Sequence, residues 1–345
     1  MLTVGMDVHR DSITFDLFDP SVEPHRQHRT VTTPTTKDAI ESVLKPLGGQ
    51  CRVAFEVGTP AQWVASIVRP LAAEVQVANP SRMPWLFRDG RKNDKLDARK
   101  IATLLHLNQL PTVHLPRVEV SAWRALINHR RTLIKRRTMV KNGIRAILRA
   151  FNFRCPHKSL WTQIGQRWLD TLTFDAPRTL MLQSLRAELT FVDTQRLAVE
   201  QQLDATAATH PSVALLRTIP GIGPRSAEAV VAYTDDIRRF GRRKQFASYF
   251  GMTPTQDSSG RVDRHGHISK RGPSVVRWVL VEATHQAIRR CSVLRAFFDR
   301  ICRGKPDRRK KAIVATGRKL LTIMFAMLRD NAAFAPGRVR PSAAA

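Results

Sequence analysis

The chain has 345 residues, enough for about two domains, and 43% of them are hydrophobic, which excludes a wholly disordered protein. Lys and Arg outnumber Asp and Glu by 57 to 28, and the resulting net charge of +29 favours a polyanionic partner, either nucleic acid or an anionic membrane surface. The four cysteines lack CxxC spacing and no apolar run reaches 18 residues, which argues against a disulfide framework, a structural zinc site and a membrane span.

Residues 1–117 alternate between strand and helix signals, as an α/β domain does. Short apolar or alternating runs predict the strands, and capping residues, Gly and Pro mark the helices between them. We predict strands at Leu2–Met6, Ile13–Phe18, Arg29–Thr32, Val53–Val57 and Glu74–Ala78, and helices from Thr36, after Pro60 and over Asn93–Leu107. The first seven residues have no basic segment, so we expect no signal peptide and a cytoplasmic location.

Residues 118–208 predict a helical, coiled-coil middle region. The stretch Arg124–Arg154 contains ten Lys and Arg residues and no acid, which is typical of a nucleic-acid-binding helix. A second helix begins at Asp175, and its apolar residues from Leu182 to Leu203 follow the 3-4 spacing of a coiled coil. Its partner is either another helix of this chain or a second copy. The cations singled out for nucleic-acid binding are Arg130, Arg131, Lys135, Arg136 and Arg137.

Residues 209–335 predict a mostly helical domain punctuated by glycines, and residues 336–345 form a tail. From residue 209 to the end, the sequence has 27 basic against 9 acidic residues. This segment therefore carries +18 of the net charge, and the polyanion-binding surface is expected to be concentrated here.

Four acids stand out in this basic chain. Asp7 and Glu56 end apolar runs, and Asp94 and Asp97 lie three residues apart at a helix start, so both project from one face. Clustered carboxylates repel one another unless they share a cation, and oxygen ligands suit Mg²⁺ or Mn²⁺. The alternative is that Asp94 only complements its helix dipole and that Asp7 only forms a turn.

The order and local sequence of these acidic motifs resemble those of the DEDD transposases of the insertion-sequence one-hundred-and-ten type. The similar segments are Val4–Val8, Phe55-Glu56 and Asn93–Ala98. The resemblance implies an α/β ribonuclease-H, RuvC-like amino-terminal domain that binds Mg²⁺ or Mn²⁺ through the four acids. One departure is that Glu56-Val57-Gly58-Thr59 replaces the usual Glu-x-Thr-Gly, which puts the local turn in doubt.

The segment Leu216–Pro224 resembles a helix-hairpin-helix. Its Gly-x-Gly turn lets backbone N–H groups approach a phosphate at the start of the next helix, so Gly221, Gly223 and Arg225 are predicted to bind nucleic acid. A glycine-bearing turn between helices with no ligand is the alternative.

Three further segments resemble the second domain of the same transposases: Gln245–Pro254, Thr255–Gly260 and His265–Gly272. In that family, the serine just before the glycine of this loop is the nucleophile, which corresponds to Ser259, with Ser258 as the alternative. The resemblance implies a covalent phosphoserine link to DNA and a composite site formed by Ser259 and the four acids. Lys270 and Arg271 precede the next helix and are predicted to bind phosphate.

Together, these features predict a transposase of a bacterial insertion sequence that exchanges DNA strands. By the resemblance, we expect a homo-oligomer in the nucleoid-containing cytoplasm, guided by a structured RNA. A metal-dependent junction nuclease with an idle Ser259, and a nucleic-acid-binding protein without enzymatic activity, are the two alternatives.

Overall fold

The computed structural model describes residues 1–79, 82, 93–259 and 262–338. The chain divides into two compact units, Met1–Val118 and Glu119–Ala345. The predicted α/β domain ends at residue 117, and the first unit ends at Val118. The helical middle region and the carboxy-terminal region belong to the same unit, so a separate domain boundary near residue 208 stays a prediction.

The first unit is built on a mixed five-stranded sheet, in the order β3-β2-β1-β4-β5. Strand β1 runs antiparallel to β2 and parallel to β4. Buried residues of β1, β2 and β4, such as Val4, Phe15 and Phe55, form its core. The elements are β1 Leu2–Val8, β2 Ser12–Phe18, β3 His28–Pro34, α1 Lys37–Leu44, β4 Cys51–Glu56, α2 Ala61–Val68, β5 Glu74–Ala78 and α3 Asp94–His106.

The predicted α/β class and all five predicted strands of this unit are confirmed. One difference is β3, which is longer than the predicted Arg29–Thr32. It pairs with β2 from His28 to Pro34, and this long-range ladder extends a strand whose own residues alternate only weakly.

Helix α3 lies directly against the sheet because β1 contains a glycine. A Cβ atom at Gly5 would lie 2.1 Å from the carbonyl oxygen of Ala98 and 2.5 Å from the backbone nitrogen of Ala102. Both alanines are fully buried, and Thr3 Oγ1 donates to the Ala102 carbonyl over 3.3 Å. Small residues on both elements thus bring the start of α3 close to the end of β1.

The second unit is mainly helical and contains one described β-hairpin. Helix α4 is long and leads through α5 into the equally long α6, and the shorter helices follow. The elements are α4 Val118–Ala150, α5 Gln163–Asp170, α6 Ala176–Ala208, α7 Pro211–Arg217, α8 Pro224–Thr234, α9 Arg243–Tyr249, β6 Pro254–Ser259, β7 Val262–Ile268, α10 Ser274–Arg290, α11 Ser292–Cys302 and α12 Arg309–Asp330.

The apolar stripe of α6 packs within the chain. Leu182, Leu185 and Leu189 join a cluster with Val140 and Ile144 of α4. Of the two partners considered for this coiled coil, the structure therefore shows the intramolecular one.

A second apolar core joins the start of α4 to the later helices. It includes Trp123 and Ile127 of α4, Phe246 of α9, Leu280 of α10 and Leu321 of α12. Within the described residues, no helix is long and apolar enough to cross a membrane.

Candidate active site

Asp7 lies at the end of the central strand of the first unit. The preceding residues Val4 and Met6 are fully buried, and the Asp7 residue itself is only 8% exposed. The strand therefore carries a carboxylate from the apolar interior to the edge of the sheet, where its charged form is poorly solvated.

Glu56 reaches the same edge on the neighbouring strand. Strands β1 and β4 are parallel and Met6 pairs with Phe55, so Asp7 and Glu56 follow one residue later on adjacent strands. The Val57 N–H donates to the Ala78 carbonyl over 3.0 Å, which continues the ladder one residue past β4. Glu56 thus ends its strand beside Asp7, although Glu56-Val57-Gly58-Thr59 replaces the usual Glu-x-Thr-Gly.

The first turn of α3 supplies the other two acids. The Asn93 side chain caps the helix by accepting from the Lys95 N–H over 3.0 Å. Asp94 and Asp97 follow in the first turn, and Lys100 Nζ lies 3.7 Å from Asp97 Oδ1. Because α3 packs on β1 at Gly5, this acidic turn faces the end of that strand.

A histidine that the sequence analysis did not select connects two of the acids. His9 Nε2 lies 3.2 Å from Asp7 Oδ2 and 3.4 Å from Asp94 Oδ1. One ligand atom from each of these three residues lies within 4.8 Å of the other two. The available signal was the spacing of Asp7 and His9, since residues two apart near a strand end project to the same side.

The electrostatics of this cluster suit a cation. Burial raises the pKa of Asp7, the neighbouring His9 opposes the rise, and the charges of Asp94 and Asp97 add to it. Two carboxylate oxygens and an imidazole nitrogen at these separations form a donor set for one divalent cation, and carboxylates favour Mg²⁺ or Mn²⁺. Asp7, His9 and Asp94 would hold the cation, with Glu56 at the adjacent strand end and Asp97 one turn along α3.

The predicted nucleophile belongs to the second unit. Ser259 is the last residue of β6 and pairs with Val262 of β7, and Ser258 pairs with Asp263. Gly260, which completes the motif, lies outside the described residues. Ser259 thus lies next to the turn of a β-hairpin, in a segment that was predicted to be a loop.

The segment predicted to be a helix-hairpin-helix contains the end of α7, a glycine-bearing turn and the start of α8, and its identity as that motif stays a prediction. A Cβ atom at Gly221 would lie 2.6 Å from the backbone nitrogen of Ala287, so this glycine allows close contact with α10. Gly223 has open space around it and precedes the first turn of α8. Arg225 is paired within the protein, with Asp204 of α6 and with Glu228, whose Oε1 lies 3.2 Å from Arg225 Nη1.

Three of the five predicted cations of α4 are paired with acids of α6. The N···O separations are between 2.7 and 2.8 Å. These ion pairs are Arg130–Glu200, Arg136–Glu188 and Arg137–Asp193. Their charges are partly balanced inside the protein, because acids distant in sequence face them.

The remaining predicted phosphate contacts differ in their surroundings. Arg131 donates to the Ser274 hydroxyl over 2.7 Å, and Lys135 borders a mainly apolar surface depression. Lys270 and Arg271 are exposed before α10. Arg277 donates to the carbonyl of Arg271 over 2.7 Å and so fixes the backbone between them and the helix.

Comparison with known proteins places both units near one group of transposases. The DEDD transposase model of the IS110 type matches residues 4–153, and the model described as "Transposase IS116/IS110/IS902 family" matches residues 213–299. The first model covers the acids of β1, β4 and α3, and the second covers the hairpin with Ser259.

Individual relatives extend the likeness along the chain. A "Probable family 20 transposase" of Pseudomonas aeruginosa is 28% identical over 83% of this chain and 86% of its own length. The transposase for insertion sequence element IS1111A of Coxiella burnetii is 28% identical over 72% of this chain and 68% of its own. An insertion element IS110 protein of Streptomyces coelicolor is 30% identical over 47% of this chain and 41% of its own.

Proposed function

The chain belongs to the IS110 family of transposases, enzymes that cut and rejoin DNA, and we propose that it exchanges strands through a metal-assisted serine nucleophile. The observation that carries this proposal is the convergence of Asp7, His9 and Asp94 on one volume at the edge of the sheet. These residues come from a strand, a turn and a helix start, and the fold keeps them together at the cost of repulsion between the two carboxylates.

The four acids form the cation site in this mechanism. Asp7 and Asp94 would hold a divalent cation, and Glu56 and Asp97 would complete the acidic surface around it. A bound Mg²⁺ or Mn²⁺ would lower the pKa of an attacking hydroxyl and stabilise the charge that develops at phosphorus. His9 Nε2 lies 3.2 Å from Asp7 Oδ2 and 3.4 Å from Asp94 Oδ1, so the imidazole would join the two carboxylates as a third ligand.

Ser259 is proposed to attack a DNA phosphate. Its Oγ forms a bond to phosphorus, the bond from phosphorus to one sugar oxygen breaks, and the serine proton passes to a base. The leaving sugar oxygen takes up a proton. The phosphoserine keeps the phosphodiester energy, so a sugar hydroxyl of another strand can attack the phosphorus without ATP, and the bond to Oγ then breaks and releases the serine hydroxyl. The sequence contains no GxxxxGK[ST] motif for ATP, which supports a rejoining step that does not use ATP.

Nucleic-acid contacts are proposed on the second unit. The turn before α8, with Gly223 in open space, acts as a helix-hairpin-helix element that approaches backbone phosphates. Lys270 and Arg271 add charge beside the serine hairpin. A structured guide RNA and assembly of several copies are further parts of the proposal, and the net charge of +29 supports a nucleic-acid partner.

Substitution of Asp7 tests the metal centre. Asp7→Asn removes one charge at nearly constant volume, so strand cleavage in Mg²⁺ should fall to background while binding of the same DNA is retained. Asp38→Asn, an exposed acid in the first turn of α1, is the matched control and should cleave normally. Cleavage by Asp7→Asn at the wild-type rate would refute the proposed centre.

Substitution of the serines tests the covalent step. Ser259→Ala should abolish both recombination and the protein–DNA adduct that survives a denaturing gel, whereas Ser258→Ala should retain both. The reverse result would move the nucleophile by one residue. Normal activity of both variants would replace the covalent mechanism with hydrolysis at the acidic centre alone.

A further inference from the structure

A strongly basic cavity lies at the end of α4, within the second unit. Its volume is about 550 Å³, and it is formed by the last turns of α4 and the segment that leads to α5. Arg145, Arg149, Arg154 and Lys158 line it together with His157, and its lining contains no Asp or Glu. Its size falls in the range of about 300–1,000 Å³ that is usual for ligand sites.

The cations of this cavity differ from those along the rest of the α4–α6 pair. Arg130, Arg136 and Arg137 each face an acid of α6. Within the part of the chain that the structure describes, no ion pair is found for the four Arg and Lys residues of the cavity. Acids of α6 therefore balance part of the charge of α4, whereas the charge around the cavity is left unbalanced. Cations at this density repel one another, and a bound anion would reduce that repulsion.

The walls of the cavity are held in place by internal contacts. Arg145 lies over the Trp161 ring with 5.3 Å between the guanidinium carbon and the ring centre, and Lys141 approaches the same ring to 4.3 Å. Arg145 Nη1 also donates to Asn142 Oδ1 over 3.2 Å. On the other side, Gln166 Nε2 donates to the Leu160 carbonyl over 2.7 Å. Part of the entropy of ordering the cationic side chains is thus lost before a ligand binds.

We propose that this cavity binds phosphates of a nucleic-acid backbone, at a site separate from the acidic centre. Guanidinium groups bind phosphate oxygens through paired N–H donors, and Arg145, Arg149 and Arg154 offer several such groups within one cavity. The inference rests on the proposed function only in taking nucleic acid as the polyanion. A DNA strand and an RNA strand present the same phosphates, so the experiment compares the two.

Charge removal gives the first test. Arg149→Gln/Lys158→Gln removes two cavity cations, and Arg186→Gln/Arg196→Gln removes two that are already paired, Arg186 with Asp170 and Arg196 with Asp193 and Glu200. Both variants lower the net charge equally. Only the cavity variant should raise the Kd for a strand of about 20 nucleotides, by roughly tenfold, with a salt slope shallower by about 1.5. Equal losses in both variants would show a general charge effect and overturn the proposed site.

Cysteine protection gives a second test that needs no substitution. Cys155 lines the cavity and is partly exposed, as is Cys302 elsewhere in the unit, whereas Cys51 and Cys291 are buried. Bound strands should slow maleimide labelling of Cys155, measured by peptide mass spectrometry in EDTA so that no cleavage occurs. Protection by DNA, RNA or both identifies the strand that the cavity takes.

Two outcomes would overturn the proposal. The first is full labelling of Cys155 while both strands are bound. The second is equal protection by inorganic phosphate alone, which would make the cavity a site for free phosphate. Asp7→Asn should show the same protection as the wild type, which separates failure of this site from failure of the proposed catalytic centre.

Discussion

Glu228 is a buried acid whose ionisation opposes folding. It lies on α8 with 1% of its surface exposed, and burial raises its pKa to about 7. The positive charges of Arg225 and Arg130 lower this pKa, whereas Asp204 and Glu200 raise it further. The folded state therefore favours the protonated acid more than the unfolded chain does.

Glu228→Gln should stabilise the protein at alkaline pH. Below the ordinary pKa of 4.5 both states are protonated, and stability then falls as the pH rises from 4.5 to about 7. At about 1.4 kcal/mol per pH unit, the full cost above pH 7 is on the order of 3 kcal/mol. The variant should gain a large part of this in urea unfolding at pH 8 and little at pH 5. Equal effects of Glu228→Gln at both pH values would contradict this origin, and Glu282→Gln on exposed α10 surface is the control.

Individual site residues were predictable where their sequence neighbours set them apart. Asp7 and Glu56 ended apolar runs, and Asp94 began a helix, so their positions followed from local pattern. His9 was missed because its role depends on a contact with Asp94, 85 positions away, that only the packing of α3 creates. For the same reason, the partners of Arg130 and Arg225 on α6 were not foreseen.

The contact of α3 with β1 depends on Gly5. Gly5→Ala would place a Cβ atom 2.1 Å from the Ala98 carbonyl oxygen, so the helix must move away from the sheet. We expect a loss of about 1–3 kcal/mol in the free energy of unfolding and weaker Mn²⁺ binding, because Asp94 moves with the helix. Calorimetry would measure both.

Gly58→Ala is the control for this substitution. A Cβ atom there meets only Pro60 Cδ, at 3.6 Å, so neither stability nor Mn²⁺ affinity should change much. A Gly5→Ala protein as stable as the wild type would show that α3 does not depend on this close approach.

The strands and helices differed in how well the sequence predicted them. The coiled-coil spacing of α6 is local, so the helix was found, but the sequence left its partner open until α4 was seen against it. The hairpin of β6 and β7 was predicted as a loop because Thr255, Gln256 and Asp257 show no alternation of apolar residues. Backbone pairing joins its two strands, and Thr255 and Gln256 are exposed.

For the protein as a whole, the charge predicts a steep dependence of binding on salt. Engagement of about 8 phosphates of duplex DNA would give a slope near −7 in log K against log salt. Fluorescence anisotropy between about 50 and 200 mM NaCl would measure it. A slope shallower than about −3 would mean that most of the cations lie outside the interface, as the internally paired Arg130, Arg136 and Arg137 already suggest for part of α4.

The length of α4 sets the distance between the apolar core of the second unit and the basic cavity. Trp123, packed in the core of the second unit, and Arg149, in the basic cavity, lie 26 residues apart on one helix, which corresponds to about 40 Å. One turn of B-form DNA measures about 35 Å. Phosphates bound in the cavity would therefore lie roughly one helical turn of duplex away from the apolar core at the other end of α4.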